Sequence, residues 1–469
     1  MSGKRMPTGE NHSGKAFKQS NKNAKKLKPR RWLWFWVRIG CVAMGAAIAG
    51  TLLAVSFTSK PLQKTQLNQK QQAVFDGKRI TGNGLQFSAL SRPVNVLVLG
   101  MSVLPPDIKN PPPETLHMRY QPELNSFDGL SDVMLLLRFE PEKKKLIMLS
   151  IPRDTRIEVP GHGMTKINAT NVYGGPALTS TAVSNLLDGV EIDRYIRINV
   201  LGVSKLVDAL GGVTVYVPKN MKYRDDSQHL YINLKAGKQH LNGDQALQLL
   251  RFRHDELGDI GRIQRQQMVI SALTDQTLNP ATLSQLPKIL DIVKEHIDSN
   301  LTVEELVALL GFMVQTHRSN MQMLMVPGRF SEKKEYDASY WIADNQHIGA
   351  MMAKYFDLDS ELKAEAVHHP TNLRIALEDS TGTNQANLHP LIKILEKAGY
   401  HNIYITKSWG EPLEVTRIIA QQGDSDSAEL IRNTLNLGEV RVESTGNLYS
   451  DISIQVGKDS LQVIRNTLK

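Results

Sequence analysis

The sequence holds a single cysteine, Cys41, so no disulfide can form within the chain and its core must stand on apolar packing. It also lacks a Cys/His cluster of metal-ligand spacing, a Walker phosphate loop and a Gly-x-Ser-x-Gly elbow. The 13 histidines are scattered, and Gly161-x-Gly163 is too short for a dinucleotide fingerprint. Zinc, P-loop and serine-hydrolase chemistry are therefore poor first readings. Net charge is missing from most of the chain as well. The formal charge is +9, but residues 1–31 alone hold ten Lys and Arg against one acidic residue, Glu10, so the remainder sums to zero. A nucleic-acid-binding domain would carry its basic excess on the folded part. No nucleic-acid partner is expected, and a transcriptional regulator is disfavoured.

What is present is enough apolar sequence for two or three folded units: 469 residues, 41% apolar and 22% charged. Residues 1–31 read as a basic cytoplasmic tail. Residues 32–57 read as a transmembrane helix, opened by three tryptophans (Trp32, Trp34 and Trp36) and continued by Ile39–Phe57, 19 residues without a charge. The basic cluster before the tryptophans fixes the N-terminus inside. A cleaved signal peptide is the alternative, but the apolar run is long for one. In either case the chain after about residue 60 is expected outside the plasma membrane, as a single-pass membrane protein.

Residues 58–91 are Gln/Lys-rich, then Gly-rich, and read as a stalk. Val94–Leu99, Val133–Phe139 and Leu146–Ile151 are near-continuous apolar strands of the kind found in a sheet covered on both faces. Helical patterns over 176–188, 200–210, 245–250, 261–277 and on to about 315 complete an α/β domain from 92 to 330 with a mixed sheet flanked by helices. A linker is expected over 331–370. A small C-terminal α/β domain follows over 371–469, with strands at 373–377, 403–406, 414–419 and 452–456 and helices at 388–398 and 427–435.

Four segments can carry chemistry. Ser150-Ile-Pro-Arg-Asp154 ends a buried strand, where α/β sheets bind ligands, and puts Arg153 and Asp154 there. Lys166 and Asn168 follow a glycine-rich turn. Leu250-Arg-Phe-Arg253, read as a strand, would stand Arg251 and Arg253 on one side, and paired guanidiniums suit an anion such as phosphate. Gly258-Asp259 starts a helix on which Arg262 and Gln266 are four apart with Arg265 adjoining. Singly, each segment reads as well as a salt bridge or a solvated face. Together, five arginines in a neutral ectodomain read as an anion pocket. Asp132 opens an apolar strand, where a carboxylate is costly unless paired or metal-bound.

These segments, in this order, resemble the LytR-CpsA-Psr family over roughly residues 92–280. The linked motifs are VNVLVLG, SDVMLLLRFEP, LSIPRDTRIEVPGHGMTKINATNVYGG, IDRYIRINVLGVSKLVDALGGVTVYVP and LNGDQALQLLRFRHDELGDIGRIQRQ. Residues 371–465 look like the accessory domain often attached to that family. The resemblance implies a phosphotransferase that moves a polyprenyl-pyrophosphate-linked glycopolymer onto a peptidoglycan hydroxyl through a phosphodiester bond, with Mg²⁺ as cofactor and the lipid tail in an apolar pocket. By motif, Arg153, Arg251, Arg253, Arg262 and Gln266 would contact the pyrophosphate, with Lys166 and Arg265 beside them. Asp132 would hold Mg²⁺. Asp154 or Asp259 would orient arginines or deprotonate the acceptor. The sequence departs from the family where an Asp is usual and Ser102 stands, leaving a neutral oxygen for the metal; Asp107 and Asp128 are the carboxylates available to substitute. The competing expectations are a pyrophosphatase acting on the same lipid and a non-catalytic binder of polyprenyl phosphates.

Overall fold

The computed structural model describes residues 62–82, 89–101, 127, 129–225, 230–252, 259–277, 285–317, 320–332, 334–358, 373–383, 387–406, 411–421, 423–444, 446, 447 and 449–467. The chain divides into two units, Met1–Thr51 and Leu52–Lys469, and every described residue lies in the second. The segment 32–57, expected to span a membrane, lies outside the described residues. Among those described, no helix is long and apolar enough to cross a membrane.

The three apolar runs form β1 (Val94–Met101), β2 (Ser131–Glu140) and β3 (Lys145–Ser150). A small hairpin follows, β4 (Arg156–Val159) and β5 (Gly163–Lys166), and then β6 (Arg194–Ile198). Next come β7 (Val213–Val217), β8 (Met221–Asp225), β9 (Leu230–Leu234) and β10 (Gly237–Leu241), paired β7 with β10 and β8 with β9. The short strands β11 (Ile297–Ser299) and β12 (Met321–Met325) close the edges of the main sheet, whose order is β11-β6-β1-β2-β3-β12. β1 runs antiparallel to β2 and parallel to β6, and β3 runs parallel to β12, so the sheet is mixed as expected.

Both faces of this sheet are buried, which is why its strands read as continuous apolar runs. Side chains alternate between the faces. Leu97, Leu99, Met134, Leu136, Ile147 and Leu149 enter one core, with Ala177 and Val183 of the helix Thr170–Leu186. Val94, Val96, Phe139, Leu146 and Met148 enter the other, with Ala308 and Leu309 of the helix Val303–Gln315. Charge is also buried here. Arg197 Nη2 lies 2.6 Å from Asp298 Oδ2, both side chains fully enclosed.

Two stretches depart from expectation. Within the expected stalk, 58–91, Leu62, Leu67, Phe75, Ile80 and Leu90 are buried, and the Phe75 ring lies 5.1 Å from that of Tyr195. Apolar residues spaced through a polar stretch have tied it to the core. Within the expected linker, 331–370, β14 (Trp341–Ala343), which pairs with β13 (Gly328–Phe330) just before it, and the helix Asn345–Phe356 form instead. Ile348, Met351, Met352, Tyr355 and Phe356 pack that helix into the first core.

The C-terminal part is a five-stranded sheet of order β16-β15-β19-β17-β18: β15 (Ile375–Asp379), β16 (Ile403–Thr406), β17 (Arg417–Ala420), β18 (Glu439–Arg441) and β19 (Ile452–Val456). One face packs on the helices His389–Lys397, Ser425–Leu435 and Ser460–Thr467 through Leu377, Ile418, Ile454, Leu391, Ile431 and Ile464. The other side meets the first part of the chain. Met323 N–H on the edge strand β12 donates to Val442 O at 2.9 Å, and the Tyr355 hydroxyl donates to Gly423 O.

Candidate active site

At the end of β3 the chain turns through Ile151 and Pro152, and Pro152 O accepts Thr155 N–H at 3.0 Å. That turn leaves Arg153 and Asp154 at the sheet edge. Because β2 runs antiparallel to β3, with Leu135 opposite Ser150, the start of β2 lies at the same edge and brings Asp132 there. The β4–β5 hairpin returns Lys166 to the turn, with Ile167 N–H donating to Thr155 O at 2.9 Å and Asn168 N–H to Arg153 O at 3.2 Å. Past Lys166 the chain enters the helix Thr170–Leu186, whose regular part starts after Gly174-Gly175. Gly175 has φ +62°, a conformation open to glycine, and Pro176 then restarts the helix.

The helix Asp259–Thr277 supplies the remaining wall. Arg262 and Gln266, one turn apart, reach the same edge. Five of the expected site residues therefore converge with Asp132. Arg153 Nη1 binds the Asp132 carboxylate, and its Nε lies 3.3 Å from Asp154 Oδ2. Lys166 Nζ donates to Asp154 Oδ1 at 2.7 Å, Arg262 Nη2 to Asp154 Oδ2 at 3.2 Å, and Gln266 Nε2 to Asp132 O at 3.3 Å. Burial alone would push the Asp154 carboxyl up. Arg153, Lys166 and Arg262 outweigh it and hold the group below the ordinary carboxylate value. Among the described residues, three cations here face two carboxylates.

Arg153, Asp154, Arg262 and Gln266 line a cleft together with Met134, Ile151, Ile263, Phe330 and Trp341. The sequence reading missed Phe330 and Trp341. Their rings meet edge to face at 5.0 Å, Trp341 N–H donates to Asp154 O at 3.0 Å, and the buried Trp341 indole Nε1 has no acceptor among the described residues. A signal for this wall was available. Positions 348, 351, 352, 355 and 356 are apolar at helical spacing, and a helix there brings the preceding strand with it.

The other expected residues stand differently. Arg265 is 1% exposed and points away from the Asp154 group: its Nη2 donates to Phe252 O at 2.6 Å, and its guanidinium lies 5.5 Å from the Phe252 ring. Arg251 is not on a strand. It ends the helix Gly243–Arg251, which a capping box between Asn242 and Gln245 starts and the buried Ala246, Leu247 and Leu249 hold down. The same-side argument for Arg251 and Arg253 fails with that strand. Asp259 opens the helix that carries Arg262. Its side chain, Arg253, Ser102, Asp107 and Asp128 lie outside the described residues.

No group of three His, Cys, Asp or Glu that could hold a metal occurs among the described residues. Asp132 nevertheless suits magnesium, which keeps much of its water and needs only one or two carboxylates beside substrate phosphates.

The model of the LytR_cpsA_psr family matches residues 52–357, about two thirds of the chain, and that of the LytR cell envelope-related transcriptional attenuator matches residues 372–459. The polyisoprenyl-teichoic acid–peptidoglycan teichoic acid transferase TagV of Bacillus subtilis is 35% identical over 188 residues, 39% of this chain and 47% of TagV. The transferase of the same description, TagU, of Oceanobacillus iheyensis is 37% identical over 189 residues, 39% of this chain and 57% of TagU. The regulatory protein MsrR of Staphylococcus aureus is 34% identical over 173 residues, 36% of this chain and 51% of MsrR. The chain thus spans about half the length of the curated relatives it matches. A crystal structure of B. subtilis TagV aligns at a TM-score of 0.46 and 26% identity, covering 57% of this chain and 98% of that one. With the first family model covering 52–357 and the arginine–aspartate cleft inside that span, the chain belongs to the LytR_cpsA_psr family.

Proposed function

We propose that this chain is a phosphotransferase that moves a polyprenyl-pyrophosphate-linked glycopolymer onto peptidoglycan through a phosphodiester bond. It would act outside the plasma membrane and be held there by the segment 32–57. The observation that carries the reading is the convergence of Arg153, Lys166 and Arg262 on Asp154 at the lip of a cleft whose other wall is apolar. The cavity is about 10 Å³, room for a water, so the cations at its lip are what suit an anionic head, and a lipid tail would enter only as the apolar wall parts. The relatives TagV and TagU, named as teichoic acid transferases that use peptidoglycan, support the same direction.

In the proposed step an acceptor hydroxyl oxygen forms a bond to the glycan-side phosphorus of the donor. The bond from that phosphorus to the bridging oxygen breaks, and polyprenyl phosphate leaves with the bridging oxygen and the electron pair. The hydroxyl proton passes to a base or to water. Phosphoryl transfer of this kind depends on positioning and charge neutralisation more than on covalent help from the protein. Arg153, Lys166 and Arg262 would neutralise the pyrophosphate, and Gln266 would fix its orientation. Asp154 is held in its ionised form by three cations, which makes it a weak proton acceptor and suits it to orienting them. Asp132 would hold magnesium, which adds positive charge against the developing phosphate charge. Met134, Ile151, Ile263, Phe330 and Trp341 would face the start of the lipid.

The test uses the full chain in detergent, a short-chain polyprenyl-pyrophosphate glycan and peptidoglycan oligomers, with and without Mg²⁺, read by mass spectrometry. A phosphodiester-linked product that requires both acceptor and metal is expected. Release of the head group to water at the same rate without acceptor would replace the reading with a pyrophosphatase. Bound lipid with no turnover would replace it with a binder.

A further inference from the structure

The helix Asp259–Thr277 has a second working face. Gln264, Met268, Ser271 and Asp275 follow one another at spacings of four, three and four, and so share a side of the helix distinct from that of Arg262 and Gln266. This side lines another cleft, closed on its far wall by the five-stranded sheet through Arg417, Arg441 and Gln455. The cavity is about 170 Å³.

Three observations make this cleft a built site. First, the sheet face turned to it is polar by design of the register. Thr406, Glu378, Gln455, Arg417 and Glu439 stand opposite one another across all five strands, while the helix-covered face is apolar. Gln455 Nε2 donates to Glu378 Oε2 at 3.1 Å, which fixes the amide in the middle of the row. Glu378 and Gln455 are the buried members of this row and satisfy each other, while Arg417, half-buried, pairs with Glu411 at 3.2 Å and Glu439, exposed, pairs with Arg441. Second, Gln264 is 8% exposed; its Nε2 donates to Gly446 O at 2.9 Å, yet its Oε1 has no partner among the described residues. A buried amide oxygen in a cleft calls for an N–H or O–H from a ligand. Third, the cleft is charged with both signs, Lys238, Arg417 and Arg441 against Asp275, Glu411 and Glu443, with Arg417 paired to Glu411 at 3.2 Å and Arg441 to Glu443 at 4.0 Å, so a ligand of both signs can exchange with these pairs.

This composition selects among ligands. Three carboxylates balance the three cations, so the lining offers a pyrophosphate no excess of positive charge, and so polar a lining suits no lipid tail. A short peptide with amide N–H groups, a carboxylate and an amine fits all three observations. The two clefts are also close, because Gln264 lies between Arg262 and Gln266 in sequence. A helix rises about 1.5 Å per residue and is about 10 Å across with its side chains, so the two clefts flank a single helix.

We propose that the cleft between this helix and the C-terminal sheet binds the peptide branch of the peptidoglycan acceptor, while the sugar hydroxyl sits at the arginine cleft. The C-terminal domain is then a reader of the acceptor. The inference rests on the transferase reading for the identity of the acceptor, but its test requires no transfer.

The experiment is isothermal titration of the full chain in detergent, without donor, using a synthetic muramoyl pentapeptide and, separately, a peptide-free chitin disaccharide. Saturable binding of the muramoyl pentapeptide that exceeds that of the disaccharide at least tenfold is expected. The double variant Lys238→Glu, Arg441→Gln changes partly exposed residues and should weaken the peptide at least tenfold with an unchanged melting transition. Gln264→Met, which keeps the volume and removes the amide, should weaken it as well. No saturable binding, equal binding of the disaccharide, or wild-type affinity in both variants would overturn the proposal. Peptide binding by a chain that forms no transfer product would leave this inference standing and remove the transferase reading alone.

Discussion

Arg262 Nη2 lies 3.2 Å from Asp154 Oδ2, a contact that joins the helix Asp259–Thr277 to the end of β3 across 108 positions of sequence. Asp154 is the hub of the cleft, since Lys166 and Arg153 meet the same carboxylate. Asp154→Asn should leave the helix and hairpin in place but release three cations from their common anchor. Transfer should fall on the order of a hundredfold, because misplaced charge no longer matches the transition state. Initial rates on the lipid-linked donor would check this. A variant with wild-type rates would make the Asp154 contacts a structural ion-pair network and no more.

Asp132 is shared between Arg153 and the proposed metal. Asp132→Asn keeps the shape and removes the charge, so the affinity of the chain for Mg²⁺ in the presence of a pyrophosphate lipid should drop by tenfold or more. Calorimetric titration of the metal reads this without any turnover. Ser102→Asp should move the affinity the other way. If neither substitution moves it, the proposed metal site at Asp132 and Ser102 is wrong.

The main sheet was legible because its strands are buried on both faces and therefore read as unbroken apolar runs, so that β1, β2 and β3 fall within two residues of where the sequence put them; in the C-terminal sheet β16 and β19 fall at the expected bounds. Short half-exposed pieces left no such trace. The β4–β5 hairpin is four residues a side, and β8 and β9 alternate with polar residues over five. In the site, Arg153, Lys166 and Arg262 were legible as cations next to strand ends and a helix start. Which guanidinium faces which carboxylate was not, since it depends on where the helix Asp259–Thr277 packs. Arg265 shows the limit. It adjoins the cleft residues in sequence, yet its place on the helix turns it toward Phe252. Trp341 escaped because the polar loop before it concealed a two-stranded ribbon.

That difference between neighbours gives a paired prediction. Arg265→Ala deprives the buried Phe252 carbonyl of its donor and empties the space beside the ring, so the chain should lose about 2–4 kcal/mol of stability. Arg262→Ala should cost less stability and far more activity, about a hundredfold in rate. Urea titrations and initial rates of both variants separate the two roles. Equal stability of Arg265→Ala and wild type would return Arg265 to the cleft.

Glu378 lies 3% exposed in the polar row of the C-terminal sheet, and burial raises its carboxyl to about 7 despite the hydrogen bond from Gln455. A raised folded-state value means that the unfolded chain gives up this proton first, near the ordinary value of 4.5. Below that, both states are protonated and the group costs nothing. As the pH rises from there toward 7, the folded state alone keeps the proton, so stability falls through this window and levels off above it. The loss amounts to roughly 3 kcal/mol, from 1.36 kcal/mol per pK unit. Glu378→Gln retains an acceptor for the Gln455 amide and never ionises. It should melt higher than wild type at pH 8 and lose the downward slope between pH 4.5 and 7. Parallel melting curves for the two proteins across that range would mean that Glu378 titrates normally and that the polar row is open to water.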